Sequence, residues 1–344
     1  MGFVASGHYH VHRGGKHRSI CELNRWSREV VVQCSANEFR ERFESQIRSL
    51  QDEVCSEVVK LDGGAEFHED VWAKENGQGG GRSRVIEDGN MFEKAAVNLS
   101  IVNGDISPER AAAMRSRGRK GVSDGSKYFA GAISIVFHAR SPLVPTLRGD
   151  IRVFQSFSDS ETVTWGGGGA DLTPSYFFEE DTVEFHRFWK QTCDRYDPSY
   201  YAKFKKWCDE YFYIPMRKEH RGVGGIFFDD LEFETEAGLS RVEEFLHDVA
   251  RGWLPSYTAI AERRKESAYG EKEREWQLLR RGRYAEFNLV YDRGVRFGLL
   301  SNGRIESIMV SAPPLVRWKY NHVPDPGSKE EEMLEILRTP RDWV

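Results

Sequence analysis

"FAGAISIVFHA" occupies residues 129–139 and "LRGDIRVFQSF" residues 147–157. Both runs are short, rich in Ile, Val and Phe, and set apart by turn-forming residues, the pattern of β-strands. Working outward, "AAVNLSIVNG" (95–104) and "TVTWGGG" (162–168) read the same way. Helical segments follow in "EEDTVEFHRFWKQTCDRY" (179–196) and "SRVEEFLHDVARGWLPSYTAIAERR" (240–264), each entered through acidic or hydroxyl residues. An earlier helix is expected over 36–59, behind Ser35 and Asn37, and a last one within 328–344, stopped by Pro340. The polar, glycine-rich "ENGQGGGRSR" (75–84) reads as a connection. "YAEFNLVYDRGVRFGLL" (284–300) reads as a hairpin turning at Asp292-Arg293-Gly294, and "RIESIMVS" (304–311) as another strand. Strand and helix do not alternate in the doubly wound manner. The pattern therefore predicts an α+β fold with one domain, an antiparallel sheet covered by helices.

The 344 residues bury a core easily, and 30% charged with 39% hydrophobic residues is the balance of a soluble globular protein. A net charge of −5 argues against a general nucleic-acid binder, so any basic site is local. No apolar run reaches the roughly 18 residues a transmembrane helix needs. Five cysteines, odd in number and without a CxxC pair, read as reduced thiols rather than a disulfide framework or zinc site. A cytoplasmic location follows, with a mitochondrial one left open by the basic first 30 residues. The first 35 residues, carrying His8, His10 and His12 and a Gly2/Ser6 pair of myristoylation type, are expected to be a disordered leader.

Glycine clusters and arginines carry the chemistry. "GVGG" (222–225) and "WGGGGADLTP" (165–174) lack the GxxxxGK[ST] and GxGxxG patterns, which argues against a nucleotide. Arg152 lies inside a strand-like run, Arg217 and Arg221 are four apart, and Arg304 follows a turn. Arginines at glycine-flanked strand ends suit recognition of carboxylate or phosphate by the guanidinium fork. Asp171 directly follows the glycine run, either facing an open cleft or capping a helix near Pro174.

Four long stretches, 166–194, 201–232, 278–300 and 304–318, closely resemble oxygen-dependent coproporphyrinogen III oxidases, in one order and over nearly the whole chain from Glu38. The resemblance implies a large flat antiparallel sheet sandwiched between helices over residues 36–344, in a homodimer joined through Val85–Lys94 and Tyr284–Lys319. It implies an oxidoreductase of haem biosynthesis. Two propionates of coproporphyrinogen III would be oxidatively decarboxylated to vinyls by O2, giving protoporphyrinogen IX, CO2 and H2O2, without a metal or organic cofactor. A tetrapyrrole with four carboxylates explains cations, bare backbone and acids together. By the same resemblance Asp171 engages the pyrrole nitrogens and Arg152 serves catalysis. Substrate contacts fall on Ser134, Arg148, Asp150, Ile151, Arg152, Arg217, Arg221, Asn302, Gly303 and Arg304. The chain departs from the family pattern at Arg148 and Met216, where members carry histidine, at Asp150, where they carry asparagine, and at Asn103. Of a four-histidine metal site described in some bacterial members, His138 and His186 alone remain, so no metal is expected. A tetrapyrrole carrier that kept the fold without the chemistry is the alternative.

Overall fold

The structure is a computed structural model that describes residues 20–344 apart from 75–76, 117, 119–121, 158–161, 234–235 and 301–302. In chain order its elements are α1 (Ile20–Asp62), β1 (His68–Ala73), β2 (Gly79–Glu87), β3 (Phe92–Asp105), α2 (Pro108–Ser116), β4 (Lys127–Ala139), β5 (Thr146–Phe157) and β6 (Thr162–Thr173). There follow α3 (Glu179–Asp194), α4 (Tyr200–Tyr211), the short pair β7 (Tyr213–Ile214) and β8 (Glu219–His220), and β9 (Gly224–Glu232). The chain ends through α5 (Glu236–Gly252), α6 (Thr258–Lys265), α7 (Glu271–Glu286), a π-helical turn Phe287–Tyr291, α8 (Arg293–Leu300), α9 (Ile305–Met309) and α10 (Lys329–Arg338). Two compact units meet within α1, one ending at Arg42 and the other spanning Phe43–Val344. The sheet and the site described below belong to the second.

Among the described residues seven strands form one antiparallel sheet in the order β1-β2-β3-β4-β5-β6-β9, which bears out the α+β reading. Strand side chains alternate between faces. Register places Ala96, Asn98, Ser134, Val136, Arg148, Asp150, Arg152, Gly167, Gly169 and Asp171 on one face. The opposite face carries the apolar alternates Val97, Leu99, Ile133, Ile135, Ile151 and Val153, all buried. Glycines let the helical layer close on that face. A Cβ at Gly149 would lie 2.4 Å from Trp253 Nε1, and one at Gly166 3.0 Å from Leu246. Trp253, Phe245 and Leu246 are fully buried there, and each such side chain contributes about 1.5–3 kcal/mol.

Several expectations need correction. The hairpin expected over 284–300 is the end of α7, the π turn and α8. The DRG signal is a helix start: the Asp292 carboxylate accepts the Val295 N–H at 2.8 Å, as an N-cap does. Tyr284 and Phe287 are buried at helical spacing rather than alternating. The strand expected over 304–311 is α9, and the single helix expected over 240–264 breaks into α5 and α6 around Pro255. Part of the expected connection 75–84 is β2, and β9 was not anticipated at all. Helix α1 starts at Ile20, inside the expected leader, because no Gly or Pro from there to Ser35 interrupts it. His8, His10, His12, Gly2 and Ser6 lie outside the described residues.

Candidate active site

Strand β5 presents Arg148, Asp150 and Arg152 at alternate positions, hence on one face. Ser134 lies opposite Asp150 on β4, and Asn98 opposite Ser134 on β3. Across the other edge Asp171 faces Arg148, Gly169 faces Asp150 and Gly167 faces Arg152. The three β5 side chains bind one another. Arg148 Nη1 donates to Asp150 Oδ1 at 3.0 Å, and Arg152 Nη1 donates to Asp150 Oδ2. Burial pushes against charge on Asp150, but Arg152 and Arg148 overcome it and hold the carboxyl below the usual carboxylate range. Arg152 Nη2 also reaches Asp229 Oδ1 at 3.2 Å. Asp229 is aimed there by a register shift between β6 and β9, where Asp230 adopts φ +61°. Ile151 points to the opposite face and is wholly buried in the core, so its expected contact with substrate is not a side-chain one.

Asp171 sits within β6, well before α3, which sets aside the reading of it as a helix cap. Its carboxylate takes Arg221 Nη2 on both oxygens, at 2.8 and 2.6 Å. Arg221 has no exposed side-chain surface. Its guanidinium lies 4.0, 4.7 and 4.9 Å from the ring centres of Phe212, Tyr284 and Phe287, and Nη1 donates to Asn288 Oδ1 at 3.0 Å. Cation–π contact and these three charge-assisted hydrogen bonds replace hydration at Nη1 and Nη2. The structure thus enlists Arg221 in holding Asp171, not at an open rim where a propionate would meet it.

The remaining expected contacts are dispersed. Arg217 lies in the turn between β7 and β8 and pairs with Glu286 at 2.8 and 2.5 Å. Arg304 is bound to Asp70 of β1 at 2.6 Å, several strands from Arg152. Gly303 closes a turn onto the Gly298 carbonyl at 2.8 Å, and Asn302 lies outside the described residues. His138 is buried between Thr146 and the Ser311 carbonyl, at 3.2 and 3.0 Å. His186 is buried between the Tyr201 hydroxyl and the Val223 carbonyl, at 3.0 and 3.1 Å. Burial pushes both imidazoles down to about 3, with Arg281 adding to the effect at His138. Among the described residues no three His, Cys, Asp or Glu side chains converge as a metal would require.

Above the charged face, α8 and α9 enclose a cavity of about 190 Å³ bounded by Asn98, Ser134, Arg148, Asp292, Gly294 and Ser307. Asp292, almost fully buried, approaches Arg148 Nη2 at 3.9 Å from the covering side. Sequence reading missed Asp292, Asp229, Asn98 and Asn288. The acids of "IFFDDLE" were visible, but only the strand assignment of β9 makes Asp229 a neighbour of Arg152.

The site can bind carboxylates through Arg148 and Arg152 and holds the acid Asp171 beside them, while the bare backbone at Gly167 makes room for the Arg152–Asp229 pair. Comparison with known proteins agrees with that chemistry. The profile of a family described as Coproporphyrinogen III oxidase matches residues 42–343. The chain is 46% identical over 324 residues to the Arabidopsis thaliana protein named Coproporphyrinogen-III oxidase 1, chloroplastic, covering 92% of this chain and 83% of that one. It is 47% identical over 321 residues to the Glycine max oxygen-dependent coproporphyrinogen-III oxidase, chloroplastic, covering 90% and 81%. The Homo sapiens oxygen-dependent coproporphyrinogen-III oxidase, mitochondrial, is 46% identical over 311 residues, covering 89% and 68%.

Proposed function

The chain belongs to the coproporphyrinogen III oxidase family, and from that premise we propose how its own residues perform the reaction. The enzyme is an oxidoreductase of haem biosynthesis that uses O2 to convert coproporphyrinogen III to protoporphyrinogen IX. Each turn converts a propionate to a vinyl. The β-carbon loses hydrogen, the carboxylate leaves as CO2, and two electrons pass to O2, which with one added proton becomes H2O2.

The observation that carries the assignment of roles is the placement of Asp171 across from Arg148 on neighbouring strands, beside the Arg148–Asp150–Arg152 series. The macrocycle lies over the sheet face that carries Arg148, Asp150 and Arg152, with the Arg152–Asp229 pair closing over Gly167 at its edge. Asp171 draws on the pyrrole N–H groups, raising the electron density that O2 attacks. Arg152 holds the reacting propionate near the resulting peroxide, so that proximity supplies much of the rate. Ser134 and Asn98 extend the polar row away from Asp150 along the register.

No metal or organic cofactor takes part in this scheme, and O2 is the sole co-substrate. The active unit is a homodimer that uses Val85–Lys94 and the segment Tyr284–Lys319. Leu289, Val290, Ile305, Leu315 and Trp318 of that segment expose apolar surface, which supports this reading. Cys55, Cys193 and Cys208 are free and buried. They suit a reducing compartment, either the cytoplasm or, as with the human relative, the mitochondrion, and imaging of a tagged chain decides between them.

Aerobic incubation with coproporphyrinogen III, followed by oxidation and protoporphyrin fluorescence, tests the function. Turnover should persist after exhaustive chelation. Loss with EDTA that one divalent ion reverses would refute the metal-free scheme. Binding without turnover would favour the carrier.

A further inference from the structure

Arg293, the first residue of α8, lies within the segment assigned to the dimer but has been given no role of its own. Its guanidinium lies 4.8 Å from the ring centre of Tyr211 and 5.9 Å from that of Phe227. Those two rings stack on one another at 4.2 Å with an interplanar angle of 8°. Arg152 approaches the same Phe227 ring at 5.7 Å. Two guanidinium groups therefore flank one aromatic platform, and Asp229 stands between them, 3.2 Å from Arg152 and 3.7 Å from Arg293.

The contact at 3.7 Å is an ion pair too long for a hydrogen bond. Among the described residues no acceptor takes a hydrogen bond from the Arg293 side chain. It is nonetheless oriented. Its backbone N–H donates to the Tyr211 hydroxyl at 3.0 Å, and the neighbouring Asp292 fixes the start of the helix. With 47% of its side chain exposed, against none for Arg221, it is a cation prepared for a partner from solution. The aromatic backing limits its freedom, so less entropy is lost when a partner arrives.

We propose that Arg293 is a further carboxylate anchor for the substrate, next to Arg152 and separated from it by Asp229. The proposal rests on the tetrapyrrole reading and adds to it. Asp229 repels a single carboxylate from bridging the two cations, so each arginine takes its own. A ligand carrying several carboxylates around a flat ring meets that requirement, whereas a monocarboxylate does not. Asp171 lies four residues along β6 from Gly167, the partner of Arg152, or about 14 Å in an extended strand. Arg293 thus grips the substrate at the end of the site far from the proton-accepting group.

Titration of the purified enzyme with coproporphyrin III, the oxidised tetracarboxylate, and with its tetramethyl ester provides the test, read by porphyrin fluorescence. Arg293→Gln should weaken coproporphyrin binding about tenfold, the effect of one charge-assisted contact at a half-exposed site, and leave ester binding unchanged. In turnover, KM should rise by a similar factor and kcat should fall less. Arg293→Lys should recover part of the affinity. An unchanged coproporphyrin Kd in a folded Arg293→Gln protein would overturn the proposal. So would an equal loss for the ester, since that would show a packing defect. Because binding is measured on its own, an inactive wild-type protein would refute the catalytic reading while the titration still decides the anchor.

Discussion

Asp171→Asn separates two consequences of one ion pair. Asp171 and Arg221 are both buried, and Arg221 Nη2 contacts both carboxylate oxygens. The substitution keeps the shape and one acceptor oxygen but removes the negative charge. Arg221 then keeps its cation with Asn288 and three aromatic rings as partners. Breaking a buried pair costs about 3–5 kcal/mol. The retained amide oxygen and the rings favour the lower end, about 3 kcal/mol. At about 2 °C per kcal/mol for a large chain, Tm should fall by about 6 °C. The chemical step should fall further, by roughly 10²–10⁴, because an amide cannot take the pyrrole proton. Adding Arg221→Met should recover most of the stability, since a thioether packs against Phe212, Tyr284 and Phe287 and no charge remains buried. Thermal unfolding measures the first effect, and single-turnover decarboxylation, well below the lowered Tm, measures the second. A folded Asp171→Asn enzyme that keeps more than about a tenth of its kcat would refute the proton-accepting role. An unchanged Tm would refute the account of the buried pair.

Arg152→Ala should lower kcat/KM by about one to two decades, with KM raised and kcat reduced, and Arg152→Lys should restore only part; near-normal kinetics would remove Arg152 from the site. Gly167→Ala would put a Cβ 2.7 Å from Asp229 and 2.9 Å from Arg152, so the pair must shift; kcat/KM should drop by up to about 10²-fold, and unaltered kinetics would show that the pair is not needed in place. Acid should destabilise the fold through His138 and His186. Both are neutral when folded, with values pushed down to about 3, and take up protons when unfolded below about 6.5. The unfolded state binds more protons between those values, so stability is lost as pH falls from about 6.5 towards 3. At pH 5 the loss is about 2 kcal/mol for each, and a double His→Gln variant with the same pH dependence between 5 and 7 as the wild type would contradict it.

Much of the sheet was legible because β3 to β6 combine β-branched runs with turn residues between them. The C-terminal segment was not, for a physical reason. Ile, Val and Phe in 284–311 carry strand propensity, yet residues there pack as helices over a face already hydrogen-bonded into the sheet, and tertiary context prevailed. β9 escaped notice because glycines at 224 and 225, with φ +84° and +154°, read as loop when they lead directly into a strand. At the site, Arg148, Asp150 and Arg152 share a face through simple alternation along β5, but Asp171 joins them through a register that no local pattern reveals. Arg221 was visible as a cation, but its burial depends on Phe212 before it and on Tyr284 and Phe287 far along the chain. Arg217 and Arg304 looked equivalent to it and are held by Glu286 and Asp70 instead.

The wall behind the reaction chamber is a single peptide layer thick. Gly149 lies between Arg148 and Asp150, and Trp253 presses directly on its backbone from the helical side. The same indole N–H donates to the Gly169 carbonyl at 3.2 Å. Phe43 and Leu246 bear in the same way on Gly131 and Gly166. At these glycines no side chain of the strand cushions the backbone against the helical layer. In a map of mutational tolerance, positions 43, 246 and 253 should therefore resemble the charged residues they never meet in solution. Enlarging or emptying any of the three bends the plane on which the arginines are mounted, and attempts to raise stability by repacking that layer will be felt as changes in turnover.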